Sequence, residues 1–118
     1  MRRQVIFYKT VSGNSPVEEF LDSLPGKVVK KITWVLLIIE EFDVVPKKYL
    51  KKLEDSSGIY ECRIDFAGNT YRLLGFFHLG GFIVLTNGFM KKTQKTPKEE
   101  IELSIKRRKD FLDRGGIL

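Results

Sequence analysis

Arg63, Arg72, Lys91 and Lys92 are the residues of this 118-residue chain whose types and spacing promise chemistry. Guanidinium groups grip a phosphate bidentately, and ammonium groups add flexible positive charge beside it. From Phe66 through Lys98 no Asp or Glu occurs, yet Arg72, Lys91, Lys92, Lys95 and Lys98 all fall within that span. It carries +5 of the formal net charge of +6. Charge gathered in one place is what a polyanion site requires, whereas a surface made basic for solubility would spread it. Phe89 and Tyr60 add aromatic faces on which an unstacked base can rest, which suits single-stranded RNA. The same cations would stabilise the pentacoordinate phosphorane of a cleavage reaction. The attacking group would be the RNA's own 2′-hydroxyl, so neither a metal nor another cofactor is expected.

A general base is less obvious. His78 is the only histidine and falls near an expected hairpin tip, where it reads as a solvated turn residue. A lysine of lowered pKa could substitute, or a carboxylate such as Glu61 or Asp65. Both carboxylates read more simply as cross-strand partners of Arg63 and Arg72. One His and one Cys give no metal-ligand spacing. Cys62 reads as a small buried hydrophobe, and Lys47, Lys48, Lys51 and Lys52 as a solvated face.

The elements that must position these groups are legible in outline. Val5 to Tyr8 has strong β propensity. Ser15-Pro16-Val17-Glu18 is a capping box with proline at the first helical position, and Val17, Phe20, Leu21 and Leu24 form one apolar stripe. Pro25-Gly26 ends that helix. Lys27 to Phe42 reads as a longer, well-buried helix, apolar nearly all round in its second half. Lys47 to Leu53 follows as a basic connection. Ile59 to Phe66 alternates strictly, as a strand half-buried on one face does. Gly68-Asn69 and Gly80-Gly81 are hairpin signals that set off return strands over Thr70–His78 and Phe82–Met90. A last helix is expected from Thr96, with a Thr96/Glu99 capping box, acids early and Lys106 to Lys109 late.

Pairing across the two turns sets Asp65 opposite Arg72, Ile64 opposite Leu73 and Arg63 opposite Leu74. It sets Arg72 opposite Phe89 and Leu74 opposite Asn87. One face of the meander then carries Glu61, Arg63, Asp65, Arg72, Asn87, Phe89 and, one step on, Lys91, at one end of an open sheet. The other carries Tyr60, Cys62, Ile64, Phe66, Tyr71, Leu73, Phe77 and Val84, a core face for helices to cover. Arg63, Arg72, Lys91 and Lys92 are the expected catalytic residues, and Asn87, Phe89, Lys95 and Lys98 the expected RNA contacts. A one-residue slip in any strand would scatter the set.

Length and composition agree with one α+β domain over residues 1–118. Apolar residues make up 42% and charged residues 31%, the balance of an ordinary globular chain. The longest apolar run, Ile32 to Ile39, is too short to span a bilayer, and Val5 to Tyr8 is too short for a secretory signal. A single cysteine fits a reducing compartment, so a cytoplasmic location without membrane contact is expected.

Together these residues resemble the RelE/HigB superfamily of type II toxins, and most nearly its phage-derived HigB-like members. The most specific portion is Asn87-Gly-Phe-Met-Lys-Lys-Thr-Gln-Lys-Thr-Pro97 with the helix after it. Glu61-Cys62-Arg63 is similar to the family's Glu-x-Arg strand, and Tyr71-Arg72-Leu73 to its Tyr-Arg-hydrophobic strand. The resemblance implies a RelE-like fold: an N-terminal strand, two helices, a three-stranded antiparallel meander and a C-terminal helix. It implies metal-independent cleavage of mRNA on the ribosome by 2′-hydroxyl attack. It also implies neutralisation by a cognate antitoxin, often a helix-turn-helix protein. Arg63 and Arg72 match strand arginines that hold the scissile phosphate, and Lys91 and Lys92 the basic pair after the last strand. Similar sequences commonly show His where this one has Asn87. Two rival expectations stay open: a ParE-like gyrase poison, and a non-catalytic basic module that binds nucleic acid.

Overall fold

The computed structural model describes residues 2–117. Five strands and three helices follow in the order β1 (Gln4–Phe7), α1 (Pro16–Asp22), α2 (Gly26–Glu41), β2 (Leu50–Lys52), β3 (Tyr60–Phe66), β4 (Asn69–His78), β5 (Phe82–Met90), α3 (Lys98–Asp113). The strands form one mixed sheet, ordered β1-β5-β4-β3-β2. The α+β class is as expected, with one strand more than the sequence suggested. β2, which reads as a basic connection, pairs antiparallel with β3 and sets Lys51 opposite Glu61. β1 closes the other edge by running parallel to β5.

Ser15 caps α1 as its motif requires, its Oγ accepting from Glu18 N at 3.3 Å, with Pro16 opening the helix. α1 and α2 cover one face of the sheet. Val17, Ile32, Val35 and Ile39 meet Cys62, Ile64, Tyr71, Leu73, Ile83 and Leu85 there. α3 covers the other face, where Ile59, Leu74, Phe76 and Val84 pack with Phe111. The sheet is therefore not open on its polar side: α3 lies over most of it and leaves one end uncovered. α2 is also less enclosed than its composition suggests, since Trp34 and Leu37 are about half exposed, at 47% and 48%.

The β3–β4 turn falls at Ala67-Gly68, with Phe66 opposite Asn69. Both turn residues have positive φ (52° and 82°), the backbone twist that a two-residue hairpin favours. Arg63 consequently faces Arg72, not Leu74, and Asp65 faces Thr70. The shift is two residues, so every side chain keeps its expected face.

Between β4 and β5 the expected register holds at the polar end, with Arg72 opposite Phe89 and Leu74 opposite Asn87. It slips by one residue between Leu74 and Gly75. This bulge turns Thr86 toward α3 beside Asn87, which keeps its expected face, and it moves Val84 from the expected α1/α2 face to the α3 cluster. Gly75 is required at the slip, because a Cβ there would stand 2.2 Å from the Val84 carbonyl oxygen.

Candidate nucleic-acid cleft

At the uncovered end of the sheet, Arg63, Thr70, Arg72, Lys91, Lys92, Thr93 and Gln94 line an open cleft of about 660 Å³. Arg63 and Arg72 are direct cross-strand partners on β3 and β4. Behind them lies Glu61, whose side chain is only 2% exposed. Its Oε1 stands 3.4 Å from Nε of Arg63 and 3.4 Å from Nε of Arg72. These are ion-pair distances without hydrogen-bond geometry, and both buried Nε atoms lack a hydrogen-bonded partner. A buried carboxylate holds its charge only when cations surround it, and here two do.

The two guanidinium groups differ in what remains free. Arg72 is 5% exposed at its side chain, and its Nη1 donates to the Tyr71 carbonyl at 2.9 Å and to Asp65 Oδ1 at 3.3 Å. Arg63 is 31% exposed, and its Nη atoms make no hydrogen bond among the described residues. An unoccupied fork beside a fixed one is an arrangement that can accept a phosphate without rearranging the sheet.

Lys91 continues β5 beyond its formal end, its backbone N–H donating to the Thr70 carbonyl at 2.8 Å. Its ammonium pKa is pushed down, first by burial and then by the neighbouring Arg72, Arg63 and Lys51, with Glu61 opposing. The neutral amine is thereby brought closer to physiological pH, as proton abstraction requires. Lys92 is exposed at the lip.

The expected RNA contacts fare unevenly. Asn87 does not reach the cleft. It is 3% exposed, its Nδ2 donates to Glu100 Oε1 at 2.9 Å, and its Oδ1 lies 2.6 Å from the Thr86 hydroxyl. Asn87 keeps its expected face, but α3 lies across that part of the sheet and Glu100 takes the amide. Phe89 stands opposite Arg72 but is half-buried against the α3 cluster, with only part of the ring exposed. Lys95 and Lys98 are exposed beyond the lining residues, with Lys98 4.0 Å from Glu102. Tyr60 packs edge-on to Phe77 at 4.7 Å on the opposite side of β3. His78 is not a free turn residue: its Nε2 lies 3.2 Å from the Gly116 carbonyl, and its ring meets Phe111 edge-on at 5.0 Å.

Cys62 is fully buried, and burial pushes its thiol pKa up to about 12. Among the described residues, no three His, Cys, Asp or Glu side chains gather where they could hold a metal ion. Nor is any helix long and apolar enough to cross a membrane.

Two features of the cleft escape sequence reasoning. α3 begins at Lys98 with Pro97 as N-cap and no side-chain cap, so the expected Thr96/Glu99 box does not form. The Thr96 hydroxyl donates instead to Oε2 of Glu61, across 35 residues of sequence. Thr70, Thr93 and Gln94 carry no charge or motif that would single them out, yet they line the wall.

Residues 19–109 match the family model described as phage derived protein Gp49-like (DUF891), a span that contains all four cleft cations. A search of curated proteins finds no significant match.

Proposed function

The chain belongs to the phage-derived Gp49-like family, a toxin-like family of the RelE/HigB type, and on that premise we propose that it is an mRNA interferase. In this reading it is the toxin of a type II toxin–antitoxin system with a RelE-like fold. It cuts mRNA on the ribosome in the cytoplasm and is held in check by a cognate antitoxin, of helix-turn-helix type. The observation that carries the reading is the cross-strand pair Arg63/Arg72, buttressed by one buried carboxylate and flanked by Lys91 and Lys92.

The reaction is a transesterification within the RNA. The 2′-oxygen forms a bond to phosphorus, and the bond from phosphorus to the 5′-oxygen breaks, leaving a 2′,3′-cyclic phosphate and a 5′-hydroxyl. Arg63 offers its free fork to the non-bridging oxygens, where negative charge accumulates. Arg72, already held by Tyr71 and Asp65, adds fixed positive potential beside it. Lys91, its pKa lowered by burial, takes the 2′-hydroxyl proton as a neutral amine. The Lys92 ammonium returns a proton to the leaving 5′-oxygen. Phe89 carries a flanking base, and Lys95 and Lys98 attract the backbone on either side.

Arg63→Ala tests this directly, because Arg63 is the more exposed arginine and its loss least disturbs the core. Expressed without antitoxin, this variant should permit growth, while the parent chain arrests it and fragments ribosome-bound mRNA. Arrest with gyrase-linked DNA breaks and intact mRNA would point to the ParE-like reading. Growth inhibition without either lesion would leave a binding module.

A further inference from the structure

Glu61 takes no part in the chemistry above, yet it is the most deeply buried charged side chain of the cleft. Its cross-strand neighbours are Leu74 on β4 and Lys51 on β2, and a carboxylate at that depth costs more than an aliphatic side chain unless it serves a geometric purpose. One oxygen faces the Nε side of both arginines, with Arg72 Nη1 held by Tyr71 and Asp65 and the Nη atoms of Arg63, among the described residues, left free beside the cleft. The other oxygen accepts the hydroxyl of Thr96. Thr96 stands at the end of the segment whose start, Lys91 to Gln94, is one wall of the cleft. Between Met90 and Lys98 that segment has no regular secondary structure. Its first residue is tied to β4 by the Lys91 N–H to Thr70 carbonyl bond, and beyond that the Thr93 hydroxyl donates to the Lys95 carbonyl at 2.7 Å, a link within the segment.

We propose that Glu61 and Thr96 form a latch that closes the lysine segment onto the arginine pair. Glu61 is then a positioning residue: through one oxygen it orients the phosphate-binding arginines, and through the other it fixes the wall that carries Lys91 and Lys92. The inference rests on the RNA-cleaving reading for its kinetic consequence, but the latch itself is a property of the free protein. Breaking it should lower the chemical step more than substrate capture, because the cations remain present while their mutual geometry is lost.

The test uses the full chain as Thr96→Val, which removes the hydroxyl at nearly constant shape, with Thr96→Ser as the conservative rescue and Glu61→Gln as a second probe. Single-turnover cleavage of ribosome-bound mRNA should show kcat reduced at least tenfold in Thr96→Val, with KM changed less than threefold. Thr96→Ser should restore at least half of the lost rate. Tryptic cleavage after Lys91, Lys92 and Lys95 should accelerate at least fivefold in Thr96→Val and Glu61→Gln, and return toward the parent rate in Thr96→Ser. Parent-like tryptic rates in Thr96→Val, or loss of activity that serine does not rescue, would overturn the latch. If the parent chain cleaves no RNA, the functional reading falls, and the tryptic rates still decide the latch.

Discussion

Arg72→Ala should do more than silence the cleft; it should weaken the fold. Arg72 is 5% exposed at its side chain and supplies one of the two guanidinium groups beside Glu61, itself 2% exposed. Removing one partner of a buried ion pair costs about 3–5 kcal/mol, because the other charge is left in a poor solvent. Here Arg63 stays 3.4 Å from the same oxygen and Thr96 still donates to the other, so the cost falls somewhat below that range, to about 2–3 kcal/mol. Loss of the contact to Asp65, whose side chain is 75% exposed, adds under about 1 kcal/mol. A total near 3 kcal/mol corresponds to a fall in Tm of roughly 10 °C for a chain of this size. Urea unfolding followed by circular dichroism reads it, with the m-value checking that the unfolded reference is unchanged. The diagnostic partner is the double variant Glu61→Leu/Arg72→Met, which removes both buried charges and should be more stable than Arg72→Ala alone. An Arg72→Ala chain within about 0.5 kcal/mol of the parent would refute the picture of a buried, charge-coupled pair. So would a double variant less stable than the single.

Three other outcomes follow from the geometry. Ala67 sits at φ 52° in the β3–β4 turn, so Ala67→Asn, which makes an Asn-Gly turn, should raise stability by about 0.5–1 kcal/mol by chemical denaturation. Cys62, fully buried and with its thiol pushed up to about 12, should resist a chromogenic disulfide reagent at pH 8 and react fully in 6 M guanidinium. Lys91 has a pKa lowered from the ordinary lysine value of 10.5 by burial, so a base of this kind gains its active, neutral form as pH rises. The cleavage rate should therefore climb with pH through a midpoint below 10.5, and Lys91→Arg, which keeps the charge, should remove that rise.

What the sequence made legible was set by the range of the interactions involved. The β3–β4–β5 meander shows through because its polar and apolar residues alternate, and because an error of two residues at the Ala67-Gly68 turn leaves every face unchanged. α1 shows through because Ser15 and Pro16 act on their immediate neighbours. β2 did not, since Leu50-Lys51-Lys52 is too short to display a period and owes its extended form to pairing with Tyr60, Glu61 and Cys62. The parallel docking of β1 on β5 joins residues about 78 apart, with nothing local to announce it.

The site divides in the same way. Arg72, Lys91 and Lys92 were visible from charge and Arg63 from the alternation of its strand, and these four line one cleft. Asn87 kept its expected face and was lost to the cleft because α3 covers it there, while the extra residue at Thr86 was signalled only by two polar residues in succession inside an apolar strand. Thr96 was misread because a local capping motif competes with a tertiary partner, and the buried Glu61 wins the hydroxyl.

The most direct test of the proposed activity is to induce the chain without its antitoxin and map RNA ends on polysomes at nucleotide resolution, beside an Arg63→Ala control. The expected result is new 5′-hydroxyl and 2′,3′-cyclic phosphate ends inside ribosome-occupied codons within minutes, absent from the control. Arrested growth with polysomal mRNA left whole would contradict the assignment.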